Sequence, residues 1–247
     1  MRERPPLEAV VFDAGGTLVR LDFEWMADVL AELDGAPDEE RLRRAEIAGR
    51  RRFDASHGAP RAGDAPLATL GDIREYFVGM LEQAGVAATA REAAYERFLV
   101  RQGGPGLWSR PMEGARDALD GVAALGLRRA VVSNSDGRAE WHLERCGVRE
   151  GLEFVVDSQI EGVEKPDPRI FRIALERLGV AASRALYVGD IRAVDEAGAR
   201  AAGMHFVLID PYGDYGDASV DSIARIALLP AWVSERFSVS ESSRRGS

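Results

Sequence analysis

Five short apolar runs in this chain each end at a polar or glycine-rich turn, and that repeated grammar restricts the fold more than any other feature. Residues 8–12 (EAVVF) run into Asp13-Ala14-Gly15-Gly16-Thr17, and residues 129–132 (RAVV) into Ser133-Asn134-Ser135-Asp136-Gly137. Residues 153–156 (EFVV) lead to Asp157-Ser158, 185–188 (ALYV) to Gly189-Asp190, and 205–209 (HFVLI) to Asp210-Pro211. Continuous apolar runs of this length read as strands covered on both faces. Helical spacing follows in 113–125, 168–178 and 193–202, with Gly126, Gly179 and Gly203 as stops. Asp167 is placed to cap the second of these helices, and Pro168 suits its first position. Strands alternating with such helices predict an α/β protein with a Rossmann-like, doubly wound parallel sheet.

The stretch 19–107 breaks the pattern. Helical periods over 24–34, 38–53, 70–84 and 89–102 are separated by breakers such as Gly35-Ala36-Pro37 and Gly103-Gly104-Pro105-Gly106. The expected organisation is a core domain of 1–18 and 108–237, interrupted by an all-helical inserted domain of 19–107. The arginine run at 50–52 reads as a solvated helix face, and 238–247 (SVSESSRRGS) as a disordered tail.

Composition narrows the function. The 247 residues carry a net charge of -9, so polyphosphates and anionic membranes are repelled on average, and neither nucleic acid nor a membrane is expected as a partner. A single cysteine, Cys146, excludes an internal disulfide or a cysteine-built zinc cluster. The N-terminal MRERPPLEA lacks the apolar segment of a secretory signal, and no run reaches the ~18 apolar residues of a membrane span. A cytoplasmic protein is expected. Lys165 is the one lysine among 32 basic residues, which suggests a site where a compact ammonium is needed and a guanidinium does not fit.

Ligands of open parallel sheets bind beyond the carboxyl ends of the strands. Asp13, Ser133, Asp190 and Lys165 are therefore expected to share one crevice, with Asp195 as a third carboxylate. Clustered carboxylates call for a cation, and hard oxygen donors suit Mg²⁺. Mg²⁺ beside a lysine and a hydroxyl suits a phosphoryl group, which a neighbouring carboxylate can attack to give an aspartyl-phosphate.

Four segments carry a family resemblance: VVFDAGGTL at 10–18, VVSNSDG at 131–137, KPDPRIF at 165–171 and YVGDIRAVDEAGARAAGM at 187–204. In this order and spacing the chain resembles the haloacid dehalogenase-like hydrolase superfamily, phosphatase type, with the helical insert of its first cap class. The resemblance implies that Asp13 is the nucleophile and a Mg²⁺ ligand, and that the Gly15 carbonyl is a second ligand. Asp190 would bind the metal directly, and Asp195 directly or through water. It implies that Ser133 holds a phosphoryl oxygen, with Gly16, Thr17 and Asn134 binding substrate, and that Lys165 neutralises charge between nucleophile and phosphate. One departure stands out. Phosphatases of this family carry a second aspartate two residues after the nucleophile, as leaving-group acid and water-activating base. Here that position is Gly15. Arg20, Asp22, Glu24 and Asp136 are candidate replacements.

The expected function is Mg²⁺-dependent hydrolysis or transfer of the phosphoryl group of a small phosphorylated metabolite, by a monomer or homodimer. The alternatives are a non-catalytic phosphate- or partner-binding relative and a dehalogenase-like hydrolase. The dehalogenases of the family lack the Gly-Asp metal motif that Gly189-Asp190 preserves here.

Overall fold

The computed structural model describes residues 4–33, 37–57, 70–216 and 219–239, and it divides into two compact units, Met1–Val19 with Pro111–Ser247, and Arg20–Arg110. In chain order the elements begin with β1 (Pro6–Leu7), β2 (Ala9–Phe12), β3 (Val19–Leu21), α1 (Phe23–Ala31), α2 (Glu39–His57), α3 (Leu70–Gln83), α4 (Ala88–Gln102) and β4 (Trp108–Pro111). There follow α5 (Ala115–Ala124), β5 (Arg128–Ser133), α6 (Ala139–Arg145), β6 (Val155–Asp157), α7 (Ser158–Glu161), α8 (Pro168–Leu178) and β7 (Ala185–Gly189). A π-helical turn (Arg192–Glu196), α9 (Ala197–Ala201), β8 (His205–Ile209), β9 (Ser222–Ile223), α10 (Leu229–Arg236) and β10 (Ser238–Val239) complete the described chain.

In the first unit, six strands form one sheet in the order β6-β5-β2-β7-β8-β9, and every pairing is parallel. The order reverses at β2, which lies between β5 on one side and β7 on the other. That is the doubly wound arrangement, and its crevice opens at the carboxyl ends of these three strands. All four residues of β2 and all five of β7 are buried, as sheet strands covered on both faces require. Asp167 caps α8 by accepting from the Arg169 N–H at 2.9 Å, with Pro168 next in line. Phe171 on α8 is wholly buried, packs edge-on against Tyr187 at 4.9 Å between ring centroids, and occupies the space where a Cβ on Gly198 of α9 would sit.

The second unit is built on close helix packing. A Cβ on Gly49 of α2 would lie 2.5 Å from the Tyr76 carbonyl of α3, and one on Gly79 would lie 2.9 Å from the Ala48 carbonyl. Only hydrogen at both positions lets the two backbones approach this closely. Phe77 then packs on Phe98 of α4 at 5.4 Å and on Trp108 at 6.0 Å.

Three expectations need correction. The arginine run is not uniformly solvated: Arg50 is buried and pairs with Glu46 at 3.1 Å, and Glu46 also accepts the Tyr76 hydroxyl at 2.6 Å. The insert is not all helical, because β3 and β4 pair with each other where the chain enters and leaves it. Ser238 and Val239 are not disordered: they form β10, which pairs in parallel with β1, and this backbone pairing supplies the order that a polar sequence hides. Residues 240–247 lie outside the described residues.

Phe171→Ala should cost about 3–5 kcal/mol, because the vacated volume lies between a rigid strand and a helix that cannot close over it. Equilibrium unfolding in urea checks this; a loss below about 1 kcal/mol would contradict the packing described.

Candidate active site

Asp13 is the first residue after β2, Ser133 the last of β5, and Gly189-Asp190 the end of β7. The sheet register therefore delivers all of them to the point of strand-order reversal. Asp13, Ser133, Lys165, Asp190 and Asp195 are all buried.

Lys165 lies between β6 and α8, and its ammonium joins the cluster. Nζ donates to Asp13 Oδ1 at 2.6 Å, to Asp195 Oδ1 at 2.7 Å and to the Tyr187 hydroxyl at 3.1 Å. Three donors meet three acceptors, which fits a tetrahedral ammonium and not a planar guanidinium. Burial alone would lower the Lys165 pKa, but the two carboxylates outweigh it and hold the ammonium well above its usual range. Asp13 moves the other way for a lysine-paired acid. Burial and the nearby Asp195 charge raise it more than Lys165 lowers it, so it is pushed up to about 6. Two carboxylates share one ammonium, so the ammonium gains from both while the carboxylates oppose each other.

Asp195 owes its place to the π-helical turn, where the Ala197 N–H reaches back to the Arg192 carbonyl. Its Oδ2 accepts the N–H groups of Asp190 and Ile191, both at 3.0 Å, while Oδ1 takes Lys165. A Cβ on Gly189 would lie 2.5 Å from the Asp195 carboxyl carbon, so the glycine of the Gly-Asp pair makes room for this carboxylate. Gly16 does the same for Asp190: at φ +74°, an added Cβ would overlap the Asp190 carboxylate.

The three expected substrate-binding positions have these surroundings. The Gly16 N–H already donates to the Val19 carbonyl at 2.7 Å. Thr17 is wholly buried, and its hydroxyl has no hydrogen-bond partner among the described residues. Asn134 spends its side chain on the Lys165 backbone, donating to the Lys165 carbonyl at 2.9 Å and accepting its N–H at 2.8 Å. Tyr187 joins the cluster although in sequence it resembles any other strand residue. Its one signal was a hydroxyl within an otherwise apolar run.

The candidate replacements for the missing acid are already engaged. Asp136 pairs with Arg138 at 2.6 Å, and against partial burial this guanidinium holds it below the usual carboxylate range. Asp22 caps α1 and pairs with Arg101 at 2.6 Å and Arg110 at 3.1 Å. Glu24 pairs with Arg110 at 3.1 Å, and Arg20 donates to the Leu21 carbonyl at 3.1 Å.

Asp13, Asp190 and Asp195 offer oxygens that all lie within 4.8 Å of one another. Three buried carboxylates against one ammonium leave an excess of negative charge that is costly without a cation. Hard, compact and anionic, this donor set fits a divalent ion of the Mg²⁺ kind.

Residues 7–203 match the family model described as haloacid dehalogenase-like hydrolase. The chain belongs to this hydrolase family. Among its relatives, a mouse protein named haloacid dehalogenase-like hydrolase domain-containing protein 3 is 42% identical over 120 residues, covering 49% of this chain and 48% of that protein. The chain thus spans about half the length of the first curated relatives it matches. A phosphoglycolate phosphatase of Rhodospirillum rubrum is 34% identical over 238 residues, covering 92% of this chain and 88% of that one. The crystal structure of a phosphatase of the family from Thermococcus onnurineus superposes with a TM-score of 0.56 at 22% identity over 92% of this chain and 98% of that one, which shows a shared fold. Among the described residues, no helix is long and apolar enough to cross a membrane.

The raised Asp13 pKa predicts a pH signature in chelator. The folded state holds this proton more tightly than the unfolded chain, so the stabilisation is full below the ordinary carboxylate pKa of 3.8 and is lost as pH rises through about 6. Stability measured by denaturant unfolding in EDTA should fall from pH 5 to 7, and Asp13→Asn should flatten that slope. An unchanged slope in the variant would assign the titration to another group.

Proposed function

We propose that this protein is a Mg²⁺-dependent phosphomonoester hydrolase of small phosphorylated metabolites, working through an aspartyl-phosphate on Asp13. The observation that carries this reading is the buried Asp13 carboxylate, held 2.6 Å from the Lys165 ammonium at the switch point of the sheet. The named phosphatases among its relatives support it. Asp13, Asp190 and the Gly15 carbonyl are the direct metal ligands in this reading. Asp195, which already accepts from Lys165 and two backbone amides, acts through water. The bound ion supplies charge neutralisation to the phosphoryl oxygens.

An Asp13 carboxylate oxygen forms a bond to phosphorus as the bond to the ester oxygen breaks, and that oxygen leaves with the electron pair. Lys165 offsets the charge on the transferred group, and the Ser133 hydroxyl donates to one of its oxygens. Water then attacks phosphorus and frees Asp13, giving inorganic phosphate. Gly15 offers no proton to the leaving oxygen and no base to this water, so esters of acidic alcohols react fastest and dephosphorylation is slow. The helical unit, inserted between the first and second motifs, acts as a cap that governs substrate entry.

Gly15 also motivates a second reading, a relative that binds phosphate without turnover. A stopped time course with p-nitrophenyl phosphate separates the two, because this leaving group needs little protonation. The expected result is Mg²⁺-dependent release that is lost in Asp13→Asn, either as steady turnover or as a burst of about one equivalent followed by a slow phase. Equal release from both proteins, or none from either, overturns the hydrolase reading.

Two variants test the roles. Gly15→Asp should raise steady turnover about 10- to 100-fold by restoring an acid–base group. Lys165→Arg should lower kcat about 100-fold or more, because a fork-shaped cation cannot meet the same three acceptors. A silent Lys165→Arg would contradict that geometry.

A further inference from the structure

We infer that Tyr187 is a positioning residue for the Lys165–Asp13 pair, acting through the third hydrogen bond of the ammonium. The inference rests on the phosphoryl-transfer reading above, and the test below separates the two.

Tyr187 is the middle residue of β7, paired in register with Val11 of β2 and Phe206 of β8. Its ring belongs to the apolar core and packs on Phe171. For packing alone, phenylalanine would serve and would avoid burying a hydroxyl, which is costly unless hydrogen-bonded. The hydroxyl is instead fully engaged. It has one proton, and the Val132 carbonyl lies at 2.9 Å, nearer than Asp195 Oδ1 at 3.3 Å. With the proton directed to Val132, an oxygen lone pair remains for Lys165 Nζ at 3.1 Å. The hydroxyl therefore connects the backbone end of β5 to the ammonium, and the length of tyrosine spans from mid-strand to the site.

The consequence is orientational. Two hydrogen bonds, to Asp13 and Asp195, leave the ammonium one unspent N–H in a buried environment; the third bond removes that freedom. Among the described residues, Lys165 is the only cationic partner of Asp13, so its attacking oxygen is aimed as accurately as the ammonium is held. Tyr187 touches neither substrate nor the reacting atoms in this account, and its effect passes through Lys165.

Lys165 is the sole lysine, which makes a direct test available. Protein grown with ¹⁵N,¹³C-lysine gives one side-chain ammonium signal by nuclear magnetic resonance. Tyr187→Phe keeps the ring and removes only the hydroxyl. The expected result is faster hydrogen exchange of the Lys165 ammonium, by fivefold or more. With it, kcat for p-nitrophenyl phosphate in saturating Mg²⁺ should fall about tenfold or more, with KM within twofold. Thermal unfolding of the same variant records any loss of stability, and the exchange signal is read in folded protein alone. A hydroxyl that only fills the core would leave the lysine signal and kcat unmoved while lowering the unfolding midpoint, and that outcome overturns the inference. Faster lysine exchange in Tyr187→Phe, together with no turnover by the unmodified protein, would retain the positioning role and overturn the hydrolase reading. An unchanged lysine signal overturns the positioning role whatever the activity.

Discussion

A single buried ammonium between two carboxylates is the interaction on which the site depends. Lys165 reaches Asp13 at 2.6 Å and Asp195 at 2.7 Å, and without it two adjacent buried anions would repel each other. The surrounding structure serves this contact. The Asn134 side chain clips the Lys165 backbone in both directions. The π-helical turn brings Asp195 inward, where its second oxygen fixes the amides of the Asp190 loop. Asp13, Lys165 and the loop from Asp190 to Asp195 are thus one hydrogen-bonded assembly rather than three independent parts. Removing one partner of such a buried pair costs more than the pair itself contributes, since the remaining charge is stranded.

The same logic explains the glycines at the site. Gly16 and Gly189 each leave a space that a carboxylate fills, Asp190 in one case and Asp195 in the other. These positions are sterically determined, whereas Gly15 brings no side chain to the cluster.

Much of this was legible in the residues. The strands at 9–12, 185–189 and 205–209, and the helix at 168–178, follow from apolar runs and from capping chemistry that local sequence carries. Asp13, Ser133, Lys165, Asp190 and Asp195 stood out because strand ends and an isolated lysine are visible in one dimension. Other features depend on partners far along the chain. Arg50 looked solvated because Glu46, four residues before it, reads as an ordinary helix-surface partner, and only Tyr76 on the next helix reveals that the pair is buried. Ser238 and Val239 become strand only through backbone bonding to Pro6 and Leu7, for which no side-chain pattern is needed. The Asn134 side chain holds the Lys165 backbone, a partner 31 residues along the chain that no local pattern marks. Tyr187 has the same residue type in a packing role or a positioning role, and only its neighbours distinguish them.

The strand order has a consequence for how the chain is made. Of the six-stranded sheet, β2 leaves the ribosome first, yet both of its neighbours in it, β5 and β7, are synthesised after the whole of Arg20–Arg110. During synthesis this apolar strand has no sheet partner while the helical unit, whose contacts are more local, can already close. The sheet can assemble only once its last central strand has emerged. Asp13 therefore emerges before Ser133, Lys165, Asp190 and Asp195 and waits for its surroundings, so a ribosome-bound fragment ending before β7 would carry Asp13 without Asp190 and Asp195.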